Sequence, residues 1–259
     1  MRISLKDKQI LVTRPIHQAK NLIQLIEQHG GQAISFPTLE IVPVSELKTA
    51  QAKLENLKTY QWLIFISANA VNFAVAANNG KIRDFTQTKI AAVGKATAKA
   101  LENQGITVDC VPEAGFNSEA LLASATFQSV EKQKILIVRG IGGRELLAEE
   151  LQKRGAKVDY CEVYQRQMPK TDNRAVVDLL NRQQLAILTA TSVEALQNLK
   201  QMLEPHSVLL RSIPLVVISA RIQKIAQDFG FKKVVVSSSP DDVAILNTLI
   251  MLTNGEDSD

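Results

Sequence analysis

A chain of 259 residues is long enough for two cores of ordinary domain size. Hydrophobic residues make up 46% and charged residues 22%, a balance that excludes a disordered or fibrous chain. The formal net charge of +4, with no block of like charges, argues against a nucleic-acid-binding tail and suits a small polyanionic ligand.

Cys110 and Cys161 are far apart and show no C-x-x-C or Cys/His spacing, so they read as reduced thiols rather than a disulfide or zinc site. The start, Met1-Arg2-Ile3-Ser4-Leu5-Lys6-Asp7, lacks the apolar core of a signal peptide. No apolar run approaches the roughly 20 residues of a membrane helix. A cytoplasmic protein without membrane or nucleic-acid partners is expected.

In chain order, an apolar strand at Ile10–Arg14 is followed by a helix over Ala19–Gly30 and an extended stretch, Gln32–Val44, punctuated by Pro37 and Pro43. Strands at Leu63–Ser67 and Ala91–Gly94 precede a helix over Ala96–Gly105. The pattern then restarts: strand Ile135–Arg139, helix Glu145–Gly155, extended stretch Lys157–Arg166, strands Leu188–Ser192 and Val216–Ser219, helix Ile222–Gly230. Each helix closes on a glycine, where a left-handed residue is easiest. The polar end, Thr253–Asp259, is expected to fray.

The restart is a repeat at an offset of 125 residues: Ile10 matches Ile135, Arg14 matches Arg139, Gly30 matches Gly155, Ser67 matches Ser192 and Gly105 matches Gly230. Gene duplication is the natural reading. Short β-branched runs alternating with helices predict an α/β protein of two similar lobes, each a small parallel sheet flanked by helices. Pro37 and Pro43 would be tolerated in a connector between lobes but not in a central strand. Periodicity leaves open whether the copies are consecutive or interleaved domains.

Ligands of open parallel sheets bind beyond the carboxyl ends of the strands. The residues there are Thr13-Arg14-Pro15, Ser67-Ala68-Asn69-Ala70, Gly94-Lys95-Ala96-Thr97, Arg139-Gly140-Ile141-Gly142-Gly143, Thr191-Ser192 and Ser219-Ala220-Arg221. Small, polar or basic tips at helix N-termini suit carboxylates or phosphates. Helix capping is the plainer role for Ser67, Ser192 and Thr97, and surface ion pairing for Arg14 and Arg139. Gly140-Ile141-Gly142-Gly143-Arg144-Glu145 has Glu145 where a dinucleotide fingerprint needs its third glycine, so NAD or FAD binding is not expected. His17, His29 and His206 have no acidic partner or metal spacing. Tyr164, between Glu162 and Arg166 on the second extended stretch, is either a packing residue or a proton donor.

The chain resembles the uroporphyrinogen-III synthase family along nearly its whole length. The resemblance is carried by Leu11-Val12-Thr13-Arg14-Pro15, Phe36-Pro37-Thr38-Leu39-Glu40-Ile41 and Leu63–Val71, and then by Ala92–Ala98, Val138–Leu146 and Cys161-Glu162-Val163-Tyr164-Gln165-Arg166. It implies an interleaved architecture: a first lobe from residues 1–36 and 168–259, a second from 44–157, and a two-stranded connector at 37–43 and 158–167. It also implies a cyclising hydro-lyase that closes linear hydroxymethylbilane, a substrate with eight carboxylates, to uroporphyrinogen III. Water is lost and the last ring inverts, in tetrapyrrole (heme) biosynthesis, without cofactor or metal.

The resemblance assigns Tyr164 to hydroxyl departure and puts Ser67, Thr97 and Ser192 at the cleft. Taken with the strand tips, the expected substrate contacts are Arg14, Ser67, Ala68, Asn69, Thr97, Arg139, Gly140, Thr191, Ser192 and Ser219. Ser219 and Ile222 stand where the family pattern has Gly and Thr. Ala190-Thr191-Ser192-Val193 lacks the family's frequent proline. A monomer is expected, with transient contact to the preceding pathway enzyme. The alternative function is a non-catalytic, two-lobed protein that binds a small anion.

Overall fold

The computed structural model describes residues 4–80, 88–115 and 117–255. Its first elements in chain order are β1 (Gln9–Val12), α1 (Ile16–Gln28), β2 (Gln32–Ser35) and β3 (Glu40–Pro43). There follow α2 (Leu47–Glu55), β4 (Trp62–Phe65), α3 (Ala68–Ala77), β5 (Lys89–Ala92), α4 (Lys95–Glu102) and α5 (Ser118–Ala123). The middle holds β6 (Lys134–Gly140), α6 (Leu146–Lys153), β7 (Lys157–Gln167), α7 (Arg174–Asn181) and β8 (Leu185–Ala190). The last elements are α8 (Val193–Met202), α9 (Ser207–Leu210), β9 (Leu215–Val217), α10 (Ala220–Asp228), β10 (Val234–Val236) and α11 (Asp242–Asn254).

These elements follow the sequence pattern. The expected strands form where β-branched residues run together, and α1 and α6 give way to Gly30 and Gly155 at φ +73° and +84°, a conformation that costs a side-chain-bearing residue energy. Two expectations are corrected. Gln32–Val44 is not one strand: it breaks at Phe36–Leu39, because Pro37 interrupts the ladder and Thr38 turns inward. The Thr38 hydroxyl donates to the Ala195 carbonyl at 2.9 Å, and the Asn198 amide donates to the Thr38 carbonyl at 2.8 Å, fastening the segment to α8. The C-terminal stretch does not fray at Thr253. Helix α11 continues to Asn254 and ends on Gly255, and residues 256–259 lie outside the described residues.

The chain divides into two compact units, one made of Met1–Glu40 with Gln167–Asp259, the other of Ile41–Arg166. The first holds a five-stranded sheet in the order β10-β9-β8-β1-β2, the second a five-stranded sheet in the order β3-β7-β6-β4-β5. Within the first, β1 pairs in parallel with β2 and β8, as in Leu11 opposite Ile34 and Leu188. Within the second, β6 pairs in parallel with β4 and β7, as in Leu136 opposite Leu63 and Asp159. Shifting numbers by 125 converts β2-β1-β8-β9 into β7-β6-β4-β5, so both sheets share one topology. Each copy of the repeat contributes strands to both units. The folded unit is therefore not the repeat unit.

Both faces of each sheet are covered. In the first unit Leu11, Leu188 and Val217 join a cluster with Leu196, Leu199 and Ile222, and Ile10, Val12 and Ile187 join another with Leu22, Ile26 and Ile245. In the second, Leu63, Phe65 and Val138 pack with Val71, Ala74 and Leu101, while Ile64, Ile135 and Ile137 pack with Leu121, Phe127 and Leu151. Each fully buried Leu, Ile or Phe contributes about 1.5–3 kcal/mol.

All the residues of the two second-unit clusters fall within 41–166, so a fragment of those residues is expected to unfold in urea with a single cooperative transition followed by circular dichroism. A fragment of residues 1–128, one copy of the repeat, carries strands of both sheets and completes neither, and should show no such transition.

Candidate active site

The strand order sets where a site can form. In the second unit the chain leaves β6 toward β7 on one side and leaves β4 toward β5 on the other, so the two outgoing loops diverge. Such a reversal opens a crevice beyond the strands' carboxyl ends. The first unit has the same reversal between β1 and β8.

At the second unit's reversal, Ser67 caps α3, its Oγ accepting from the Ala70 amide at 3.1 Å. The Ser67 Oγ also meets the Tyr164 hydroxyl at 3.3 Å, with either oxygen able to donate. That is longer than the 2.7–2.8 Å typical of O–H···O bonds, a loose contact. Ala68 and Asn69 form the first turn of α3 and are half-buried.

Tyr164 reaches Ser67 because β7 carries a bulge. The β6–β7 register runs Arg139 opposite Glu162 and then Gly140 opposite Tyr164, leaving Val163 unpaired. Cys161 and Val163 face the α2–α3 side of the sheet and Tyr160 the other, so regular alternation would put Tyr164 with Tyr160. The extra residue turns it to the α3 side, where its ring lies 5.6 Å from that of Phe73. Tyr164 is 3% exposed.

Arg139 is 3% exposed and its donors are engaged inside the unit. Nη1 donates to Glu145 Oε1 at 3.0 Å, Nε to the Gly140 carbonyl at 3.2 Å and Nη2 to the Gly142 carbonyl. The guanidinium stacks 4.5 Å over the Tyr160 ring, and the Tyr160 hydroxyl donates to Glu145 Oε2. Burial and this hydrogen bond push the Tyr160 phenol up to about 12, so it stays protonated, while the Glu145 carboxyl is lowered by the same bond. Arg139 thus clamps the 140–145 loop rather than presenting a free cation. Ile141 at the loop's crest is exposed, and with Lys53 and Glu162 it borders a cavity of about 220 Å³.

In the first unit Arg14 pairs with Asp242, which also accepts from Asn21 at 2.7 Å, and donates to the Pro240 carbonyl at 3.2 Å. Its guanidinium, too, is engaged internally. Ser192 caps α8 by accepting from Ala195 at 3.0 Å, Ser219 caps α10 by accepting from Ile222 at 3.4 Å, and Thr191 is half-buried beside Ser192. Thr97 lies in the first turn of α4 and is 4% exposed.

The structure thus gathers Ser67, Asn69, Gly140 and Tyr164 at one reversal and Arg14, Thr191, Ser192 and Ser219 at the tips of the other sheet. Glu145, Tyr160 and Asp242 were missed by sequence reasoning. Only Glu145 left a trace, as the residue interrupting the glycine pattern; Asp242 lies 228 positions from Arg14, beyond any local signal. Among the described residues no group of His, Cys, Asp and Glu is arranged to hold a metal, and no helix is long and apolar enough to cross a membrane.

A family model described as uroporphyrinogen-III synthase HemD matches residues 20–247. The chain belongs to this family. The uroporphyrinogen-III synthase of Salmonella typhimurium is 33% identical over 245 residues, covering 93% of this chain and 99% of that protein. The Escherichia coli synthase is 31% identical with the same coverage. Membership in the synthase family favours the enzyme over a non-catalytic anion binder.

Solved structures share the fold. A mutant uroporphyrinogen III synthase from the extremely thermophilic bacterium Thermus thermophilus has a TM-score of 0.64 at 15% identity, covering 96% of this chain and 100% of that one. The Helicobacter pylori synthase has a TM-score of 0.63 at 17% identity, covering 95% and 99%.

Two measurements follow from this geometry. Ser67→Ala and Ser192→Ala each remove an N-cap and should each lower stability by about 1 kcal/mol in denaturant titration. Cys161 is fully buried, which pushes its thiol up to about 12. It should therefore resist iodoacetamide at pH 8 in the folded protein and react once the chain is unfolded.

Proposed function

We propose that this chain closes hydroxymethylbilane to uroporphyrinogen III, with Tyr164 as the proton donor to the departing hydroxyl. The observation that carries the reading is the Tyr164 hydroxyl held at Ser67 Oγ, at the strand-order reversal of the second unit. Tyr164 gives its proton to the hydroxymethyl oxygen, which leaves as water. The azafulvene-like cation so formed is attacked by the terminal pyrrole at the α-carbon that already carries its methylene bridge. That bridge bond then breaks, leaving a second azafulvene-like cation on the neighbouring ring. The terminal ring closes onto it through its free α-carbon, inverted, its lost proton returning to the tyrosinate. The balance is one water lost, with no redox change.

Ser67 supports this exchange. One lone pair of its Oγ is taken by the Ala70 amide, and its O–H is free to donate to the tyrosinate as charge develops there. Carboxylates of the substrate meet backbone N–H groups at the start of α3, where the helix dipole favours negative charge. Amides take this part because the guanidiniums of Arg14 and Arg139 are engaged within the protein. The rest of catalysis is conformational, since unguided closure gives the uninverted ring and the enzyme must hold the bilane in one folded geometry.

Incubation with freshly prepared hydroxymethylbilane should yield predominantly the type III isomer, and predominance of type I would overturn the reading. Tyr164→Phe should slow turnover by about 100-fold or more with the fold intact by circular dichroism. Undiminished turnover would reduce Tyr164 to a packing residue.

A further inference from the structure

We propose that Gly140 is a positioning residue for Tyr164, required because the tyrosine ring occupies the space a side chain at position 140 would fill. The inference rests on the reading of Tyr164 as the proton donor. A Cβ built on Gly140 would stand 2.3 Å from Tyr164 Cε2 and 2.6 Å from Cζ, the carbon that bears the hydroxyl. Contacts that short do not persist, so any larger residue must move the ring or the loop. Nor is glycine needed here for its backbone. Gly142 and Gly143, at φ +75° and +99°, sit in the left-handed region that favours glycine, and Gly140 does not. What glycine contributes at position 140 is room.

The surroundings leave the ring few alternatives. Gly140 is the β6 residue facing the bulge, paired with Tyr164 where the register shifts, and the next amide, Ile141 N–H, donates to the Tyr164 carbonyl at 2.8 Å. On its outer side the 140–145 loop is tied down by Arg139, which holds the Gly140 and Gly142 carbonyls and Glu145. The Phe73 ring also packs against it, 5.6 Å between centroids. With strand, loop and helix fixed, a methyl group at 140 is relieved chiefly by swinging the ring, which carries the hydroxyl away from Ser67.

The test is a double-mutant cycle in the full chain with hydroxymethylbilane: wild type, Gly140→Ala, Tyr164→Phe and the double variant, measuring kcat and KM separately with circular dichroism as the control for folding. Displacement of a reacting group by about 1 Å can cost as much as 100-fold, so Gly140→Ala should lower kcat by about 10- to 100-fold while KM stays within about 2-fold. In the Tyr164→Phe background, where there is no hydroxyl to misplace, the same change should cost less than about 2-fold.

An equal loss in both backgrounds, or a raised KM with kcat intact, would overturn the proposal and return Gly140 to structure or substrate binding. Should Gly140→Ala fail to fold, Glu145→Gln loosens the loop from its outer side without adding atoms near the ring. It should then lower kcat in the wild type but not beside Tyr164→Phe, and equal losses would again overturn the proposal. A fully active Tyr164→Phe enzyme refutes the proton-donor reading and this inference with it. A slow Tyr164→Phe with additive effects refutes this inference alone.

Discussion

The pairing of β1 with β8, and of β6 with β4, is the constraint on which everything else in this protein hangs. Each pairing joins a strand from one copy of the repeat to a strand from the other, and each is central in its sheet. In the first unit it is reinforced by reciprocal side-chain bonds: the Thr13 hydroxyl donates to the Thr189 carbonyl at 2.7 Å and the Thr189 hydroxyl to the Leu11 carbonyl at 3.1 Å. Both threonines are almost wholly buried, so these bonds form in a low-dielectric interior where an unmatched hydroxyl would be costly. The same pairings create the reversals of strand order, and with them the crevices.

The duplicated framework is symmetric, but its chemistry is not. Ser67 and Ser192 are equivalent in the repeat and cap equivalent helices, yet the counterpart of Tyr164 is Leu39, which is buried and apolar, and the counterpart of Gly140 is Pro15. The arginines of the repeat diverge in the same way. Arg14 ties β1 to the start of α11 through Asp242, whereas Arg139 ties down the loop that follows its own strand. One unit thus retains the hydroxyl pair, and the other keeps only the capped helix ends.

Strands and helices were legible in the sequence because they are local: period-two and period-3.6 patterns with glycine stops record burial within a few residues. The repeat made the shared topology legible as well. Interleaving was not legible in the repeat, because an offset of 125 is the same whichever half of a copy pairs with which; only the family resemblance implied it. The bulge escaped for a similar reason: Val163 and Tyr164 are ordinary β-strand residues, and only the partner strand shows that two of them face one. Arg14 and Arg139 were visible as candidates, but their partners include Asp242, Glu145 and backbone carbonyls that only the fold brings near. Sequence also flagged Pro37 as a breaker without showing that Thr38 would dock on α8.

The discontinuous first unit bears on how the protein is made. During synthesis β1, α1 and β2 emerge well before the rest of their sheet: β1 gains its second partner only when β8, starting at Leu185, has been translated, and β9 and β10 follow later still. At about 5–20 residues per second, that leaves the apolar strand Ile10-Leu11-Val12 waiting roughly 10–30 s with an unpaired edge. The second unit, continuous from Ile41 to Arg166, has all its strands before then. Strand β1 is thus made long before it can find its place, and the nascent chain is most open to aggregation or chaperone capture there.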